Sequence, residues 1–467
     1  MNKISHPNID NDQLIEALNG NQNVQFELGN DFASGIEQDM EQAAFWFRQA
    51  ADKGHIKAQS RLGQMYLNGE GIPKNHKQAL NWLQKAANEG DANAQYHLAM
   101  MYKNGQGVAI DLYQTAYWAE KAARQGHINA QHEIAFCYYN GNGVTADAPQ
   151  AFHWWHQAAK AGHCDAAFYL GWLYSQGLGI PHNDSDAVYW YQKAANQGQN
   201  AAQFNLGCAY HEGIGIEANQ ELALLWWQKA AKNGNANAQY NLGLAFEEGL
   251  GTPKNLLKAH NWYQLAAKNH HTEAQLRLGN MYQEGIPFEI NFEKAVYWYQ
   301  QAAQQGNSQA LFHLAQAYQD GHGITQNLEQ ALICYQQSAR KNNRDALFNL
   351  GCLYQEGIIV PKDSIHAFSY WLKAANANHP KAQHNTAVCY EYGFGTEKDI
   401  KAAFVWYEKA AKNGQPDAQF NMGRAYELGI TVPKDAIRSQ IWYSRAAKQG
   451  HQDSLNKLLK LRNNLLQ

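Results

Sequence analysis

The sequence predicts an all-α fold, a right-handed superhelical α-solenoid of about twelve 36-residue helix-turn-helix repeats, and three observations carry that expectation. An alanine opening an Ala-Gln-x-x-Leu-Gly-like phrase stands at Ala58 and returns every 36 residues as far as Ala418. Within each copy the apolar residues fall at helical spacing, and glycines punctuate the copy at fixed positions. A period of this size, with two short helices in each copy, marks units that bury their apolar faces against their neighbours.

Residues 1–23 are polar, carry Asp10, Asp12 and Glu16, and contain no apolar run resembling a secretory leader. Asn11 to Leu18 is expected to form a short capping helix. The first copy begins at Val24 in place of alanine and is shortened in the loop between Gly35 and Ala43. Terminal repeats depart in this way because one of their faces meets water.

The copy from Ala202 to Asn237 illustrates the rest. Ala202, Leu206, Ala209 and Tyr210 form one apolar helical stripe. Gly213-Ile214-Gly215 then breaks the helix. A second helix is expected from about Gln220 to Lys232, with Ala223, Trp226, Trp227, Ala230 and Ala231 on its apolar face and Gly234 just past its end. The copies of Gly234 are glycine except at His270, Asn342 and Asn378, residue types that tolerate positive φ, which predicts a left-handed cap at this position. Tryptophan recurs from Trp46 to Trp442, with Cys334 and Tyr370 in two of its phases, opposite alanine pairs such as Ala194-Ala195. These tryptophans are assigned to the core, where truncation costs about 3–5 kcal/mol. The repeats are expected over 24–451, as one solenoid, and residues 452–467 as a C-terminal capping helix with Leu455, Leu458 and Leu459 apolar and Lys457, Lys460 and Arg462 basic.

Composition narrows the function classes. With 45% apolar residues the chain can bury a continuous core, and a net charge of −3 gives no basic footprint for nucleic acid. No stretch is apolar enough to span a membrane. The six cysteines do not recur as a pair within the repeats, which, with the absent leader, predicts a reduced, cytoplasmic protein. Glycine pairs such as Gly213/Gly215 lack the Gly-Lys-Ser/Thr and the preceding strand of a phosphate loop and are assigned to turns. The histidines at His55, His127, His163, His271, His379 and His451 are one to three whole repeats apart. Two packed helices, each about 8–10 Å wide, would separate neighbours, too far to share a metal at about 2 Å. They are expected to be structural, as are His270-His271 and His163-Cys164. No catalytic residue, metal or cofactor is expected.

The phrases Ala-Gln-x-x-Leu-Gly-x-x-Tyr-x-x-Gly-x-Gly and Ala-x-x-Trp-Tyr-x-Lys-Ala-Ala-x-x-Gly resemble the Sel-one-like repeat family, a tetratricopeptide-related group with bacterial members, over twelve copies from about Val24 to His451. The resemblance implies a non-enzymatic adaptor that binds one or more proteins or peptides. Alternatives are a toxin-neutralising immunity protein, a secreted host-directed effector, or a β-lactam or cell-wall hydrolase like cysteine-rich relatives, whose regular disulfide pair this chain lacks. By analogy with tetratricopeptide relatives, the first helix of each repeat lines the concave groove, which places the Phe204, Cys208 and His211 positions inward. The first of these rows includes Phe168, Phe204, Tyr240, Phe312 and Phe348; aromatics there either face a ligand or pack on the adjacent repeat. The row of Cys208 varies freely and includes Phe136 and Trp172, candidates with Phe168 for an apolar anchor pocket. At the end of the same helix Asn68, Asn104, Asn140 and Gln176 give way to Glu212, Glu248, Glu284, Asp320 and Glu356, joined one residue earlier by Glu247, Glu391 and Glu427. These acids are expected either to form a ridge that steers a basic partner or to be a solvated face.

Overall fold

In a computed structural model of the chain, described for residues 11–34 and 38–464, the helices fall where the repeat predicts them. Twelve helix pairs, from Gln22–Ala33 with Met40–Asp52 to Pro416–Leu428 with Ala436–Lys448, are flanked by Asn11–Leu18 and Gln452–Asn464, and no strand occurs among the described residues. Part of the shortened first loop, with Gly35, lies outside the described residues, as does Leu465 of the terminal helix. The chain divides into two compact units, Met1–Asn235 and Ala236–Gln467. Each holds six helix pairs and one flanking helix.

The second helix of all twelve repeats starts on Asn or Asp, from Asp39 through Asn219 to Asp435. The side-chain oxygen accepts an otherwise orphaned amide; Asn219 Oδ1, for example, takes the Leu222 N–H at 3.0 Å. Past the end of this helix the chain turns left-handed as predicted: Gly234 has φ 82°, and His270, Asn342 and Asn378 adopt 61°, 59° and 60°.

Two residues of the repeat phrase set the helix packing. The glutamine after the alanine is buried and clasps the preceding repeat: Gln275 Nε2 donates to the Ala267 carbonyl at 3.1 Å, while its Oε1 accepts from Gln305 Nε2 at 2.7 Å. Gln203, Gln239, Gln383 and Gln419 accept from Asn233, Asn269, Asn413 and Gln449 in the same register. The phrase's glycine lets the paired helix come close. A Cβ on Gly207 would lie 2.4 Å from Trp227 Cδ1, and one on Gly243 2.3 Å from the Tyr263 ring.

Apart from Trp46, the deepest large aromatic side chains are accordingly those one residue after the recurring tryptophan. Trp155, Tyr263, Tyr299, Tyr335 and Tyr443 are almost fully buried. The tryptophan row is shallower than expected. Trp46 to Trp226 are buried, but Trp262, Trp298, Trp406 and Trp442 are only half-buried. Their row stands at the edge of the helix pair, and in some copies a cation three residues on covers the ring face: Lys229 Nζ lies 3.8 Å from the Trp226 ring centre and Lys409 Nζ 4.1 Å from that of Trp406, whereas Leu265 and Gln301 stand there after Trp262 and Trp298.

The terminal helices bury little. Ala17 is enclosed while Ile15 and Leu18 are exposed; at the other end Ser454 is enclosed, Leu459 is exposed, and Lys457 pairs with Glu427 at 2.8 Å. No helix among the described residues is long and apolar enough to cross a membrane.

Candidate functional site

Most first helices begin on a residue whose side chain caps them, and where that residue is histidine it also closes the repeat interface. His55, His127, His163, His271 and His379 accept the amide of the following alanine through Nδ1 at 3.1–3.2 Å. The same rings stack on Phe26, Tyr96, His132, Tyr240 and Phe348 of the preceding repeat, with centroids 4.3–4.6 Å apart. Where the preceding residue is Ser60, the cap is Asp91, and the Ser60 hydroxyl donates to its carboxylate at 2.8 Å. In these copies the cap also reaches the preceding repeat, through ring stacking or a hydrogen bond.

This accounts for part of the aromatic row. Tyr240 and Phe348 are engaged by a histidine cap, Phe312 is buried, and Phe168 leans on Tyr169 and Tyr191. Phe204 is half-buried. Phe136 is held edge-on by Trp155 and Tyr169, with centroids at 5.3 and 4.7 Å, and Trp172 meets Tyr139 at 5.4 Å.

Trp172 also lines a cleft, of about 310 Å³, between two consecutive repeats. Ser175, Val188, Tyr191, Asn205, Cys208 and Glu212 share its wall, whereas Phe136 and Phe168 do not. Phe136 and Phe168 therefore do not share this cleft with Trp172. Their shared neighbour is Tyr169 for Phe136 and Phe168, while Trp172 stands on the next turn.

The cleft is a recurring feature. Shifted by three whole repeats, the same positions, including Val296, Tyr299, His313, Gln316 and Asp320, enclose about 100 Å³. Shifted by six, Phe404, Tyr407, Asn421 and Arg424 enclose about 210 Å³. Its back wall is a tyrosine in all three clefts, and the wall residue in the freely varying row is Cys208, Gln316 or Arg424.

The acidic rows separate into two kinds. Glu212, Glu248, Glu284, Asp320 and Glu356 are exposed at the ends of their helices. Glu247, Glu391 and Glu427 do not extend that ridge. Each accepts the hydroxyl of a buried tyrosine on the paired helix, Tyr263, Tyr407 and Tyr443 respectively, because a buried phenol needs an acceptor. Burial works against the Glu427 carboxylate, but hydrogen bonds from Lys457 and Tyr443 outweigh it and hold it below the ordinary glutamate value.

His132, His163 and Asp165 bring one donor atom each within 4.8 Å of one another. Sequence spacing misses this pairing because it joins two different positions of the repeat. The two imidazoles are stacked, 20° from parallel, and His163 Nδ1 already accepts the Ala166 amide. Lone pairs lying in parallel planes do not converge on one ion, so the arrangement is a packing contact. Burial, then the neighbouring His163 and Lys103, lowers His132 to about 3 and keeps it neutral. None of the six cysteines is in a disulfide among the described residues, and burial raises every thiol, Cys137 to about 12 and Cys208 to about 11, the opposite of an activated nucleophile.

The Sel1 repeat profile matches twelve consecutive segments, from 23–55 and 56–91 to 416–451. The chain is similar to the crystal structure of a protective antigen present in uropathogenic Escherichia coli strains, which displays an SLR fold. That likeness is 31% identity and a TM-score of 0.80 over 97% of this chain and 98% of the other. It is also similar to a Sel1 repeat protein from Oxalobacter formigenes, 28% identical with a TM-score of 0.54 over 69% of this chain and 91% of that one. Among curated proteins nothing matches.

Proposed function

Because this chain belongs to the Sel1 repeat family, we propose that it is a non-enzymatic interaction scaffold that holds an extended segment of a partner protein along its first helices. The observation that supports this most directly is the inter-repeat cleft, which returns in the same register with a constant tyrosine back wall and a changing residue beside it. Packing against the paired helix accounts for the buried tyrosine. It does not require Cys208 in one cleft, Gln316 in another and Arg424 in a third. A row of like-shaped recesses with unlike chemistry suits an extended chain that offers one side chain to each recess, the rigid scaffold keeping the ordering cost on the partner's side.

In this reading Trp172 supplies an aromatic wall and Glu212 a carboxylate to the first cleft, which favours a side chain with an apolar stem and a basic end. Arg424 favours an acidic one. The exposed acids from Glu248 to Glu356 steer the approach of a basic segment. Tyr240, Phe312 and Phe348 contribute packing; of the aromatic candidates Trp172 is the one proposed to touch the partner.

Selection of peptides from a displayed random library tests the proposal, using the full chain, Cys208→Arg and Arg424→Cys. The expected result is an enriched motif for the original chain. Each variant should change its charge preference at one position of that motif, toward acidic for Cys208→Arg and away from it for Arg424→Cys. Failure to enrich any motif, or the same motif from all three proteins, would overturn it.

A further inference from the structure

The repeat has framework positions, and several depart from the rule together at one place in the second unit. Tyr370 stands where tryptophan recurs, Leu347 where the clasping glutamine recurs, and Asn342 where glycine closes the second helix. Cys334, one repeat before Tyr370, is the other break in the tryptophan row. Tyr370, Leu347 and Asn342 all line a single cleft of about 400 Å³, together with Gln336, Arg340 and Lys373. A phenol occupies less room than an indole, and replacing glutamine by leucine removes one amide from the ladder. Coincident breaks in an otherwise consistent framework are where function is expected to reside.

The chemistry of the lining is one-sided. Arg340 offers a planar fork of donors and Lys373 a compact ammonium, and Gln336 and Asn342 add amides. Lys373 Nζ is held 5.7 Å from the Tyr370 ring centre, which places it at the cleft wall. Both cations lie at the carbonyl ends of their helices, Leu328–Arg340 and Ser364–Asn376, where the helix dipole favours them. Among the described residues neither forms an ion pair with a carboxylate. The volume of this half-open cleft falls in the range of small-molecule sites.

We infer that the cleft between Arg340 and Lys373 binds an oxyanion, a phosphate or carboxylate carried on a small molecule, with the guanidinium and ammonium on its oxygens and the Tyr370 ring against its body. Its charged groups lie on second helices, and none of its lining residues belongs to the three peptide clefts proposed above.

Calorimetric titration of the full chain with inorganic phosphate, and separately with succinate, tests it. Saturable binding at one site per chain is expected, and whichever probe binds more tightly identifies the oxyanion. Arg340→Gln and Lys373→Gln, both at exposed positions that leave the fold intact, should each weaken binding about tenfold, the scale of one lost charge-assisted hydrogen bond. Tyr370→Trp restores the framework residue and should abolish binding while leaving the thermal midpoint unchanged or raised. Lys229→Gln and Lys232→Gln change the same two repeat positions elsewhere and should have no effect. Binding of neither probe, or weakening by the control substitutions as strong as by the Arg340 and Lys373 variants, would overturn the inference.

Discussion

The His127 ring lies on Tyr96 of the preceding repeat, centroids 4.6 Å apart, while its Nδ1 accepts the Ala130 amide at 3.1 Å. One neutral imidazole thus caps one helix and joins it to the last. Burial first of all lowers the pKa of His55, His127, His163, His271 and His379. Nearby carboxylates, such as Asp165 at His163 and Asp345 at His379, only partly oppose it.

Stability should therefore depend on pH with a definite sign. The unfolded chain takes up protons below the ordinary histidine value of about 6.5, where the folded caps refuse them. The contribution of the caps is fully present above that value and is lost as the pH falls through it toward the lowered folded values. Urea midpoints followed by circular dichroism should drop between about pH 7.5 and about pH 5.5. His127→Asn, which keeps a capping oxygen but cannot titrate, should flatten part of that slope. An unchanged midpoint in the original chain would show that the caps do not couple to protons.

Gly207 and Ala135 occupy the same position opposite Trp227 and Trp155. Gly207→Ala places a Cβ 2.4 Å from the Trp227 ring and should destabilise by about 1–3 kcal/mol through overpacking. Ala135→Gly meets no such contact and should cost the helix-propensity difference of about 1 kcal/mol together with about 0.8 kcal/mol for the buried methyl it removes. Thermal melts of the two variants distinguish a packing requirement for glycine from a mere tolerance of small residues.

Glu247 and Glu248 are sequence neighbours with different fates. Glu247→Leu leaves the Tyr263 hydroxyl without its acceptor and should cost about 1–3 kcal/mol. Glu248→Gln changes an exposed side chain and should stay within about 0.5 kcal/mol. Chemical denaturation of both variants checks the division of the acidic residues into structural and steering kinds.

Much of this architecture is legible in the sequence because a repeated error of register would have to be repeated twelve times. The positive φ of His270, Asn342 and Asn378 could be anticipated from residue type alone, since only a few side chains accept that backbone. The capping Asn or Asp of every second helix recurs just as plainly and could have been found by the same alignment of copies. The link between Ser60 and Asp91, or Tyr96 and His127, was less visible, because it joins one repeat to the next and shows only when two positions are compared down the whole chain. The clefts were least legible: Trp172, Tyr191, Cys208 and Glu212 come from three helices of two repeats, and no single helical period places them around one space. For the same reason Glu247 looked like part of a ridge until the phenol of Tyr263 was seen beside it.

The Lys457 ammonium bridges to Glu427 and fastens the last helix to the final repeat. Burial tends to raise the Glu427 pKa, and the hydrogen bonds from Lys457 and Tyr443 lower it further than burial raises it. Its contribution is present above the unfolded carboxylate range and is lost as the pH falls through the lowered folded value. Lys457→Ala should therefore speed amide exchange in Gln452–Asn464 while the Pro416–Leu428 helix stays protected, since a partly exposed pair holds an edge rather than a core. Equal exchange in both proteins would mean that the helix is held by Ser454 and its backbone alone.

Trp172 and Trp155 separate binding from stability most sharply. Trp155 is fully buried and stacks on Tyr169 at 4.9 Å, so Trp155→Ala should cost about 3–5 kcal/mol and lower the unfolding midpoint. Trp172 is half-buried on the wall of the cleft and meets only Tyr139 edge-on among aromatic rings. Its truncation to alanine should leave helicity largely intact and weaken binding of a selected peptide by at least about tenfold, as loss of a central aromatic anchor does. Phe136→Ala tests the alternative placement of the anchor. Enclosed by Trp155 and Tyr169, it should behave as packing and reduce stability, with little change in peptide affinity once folded. Should Trp172→Ala instead unfold in parallel with Trp155→Ala, the indole is core and the cleft has lost its aromatic wall as a recognition element.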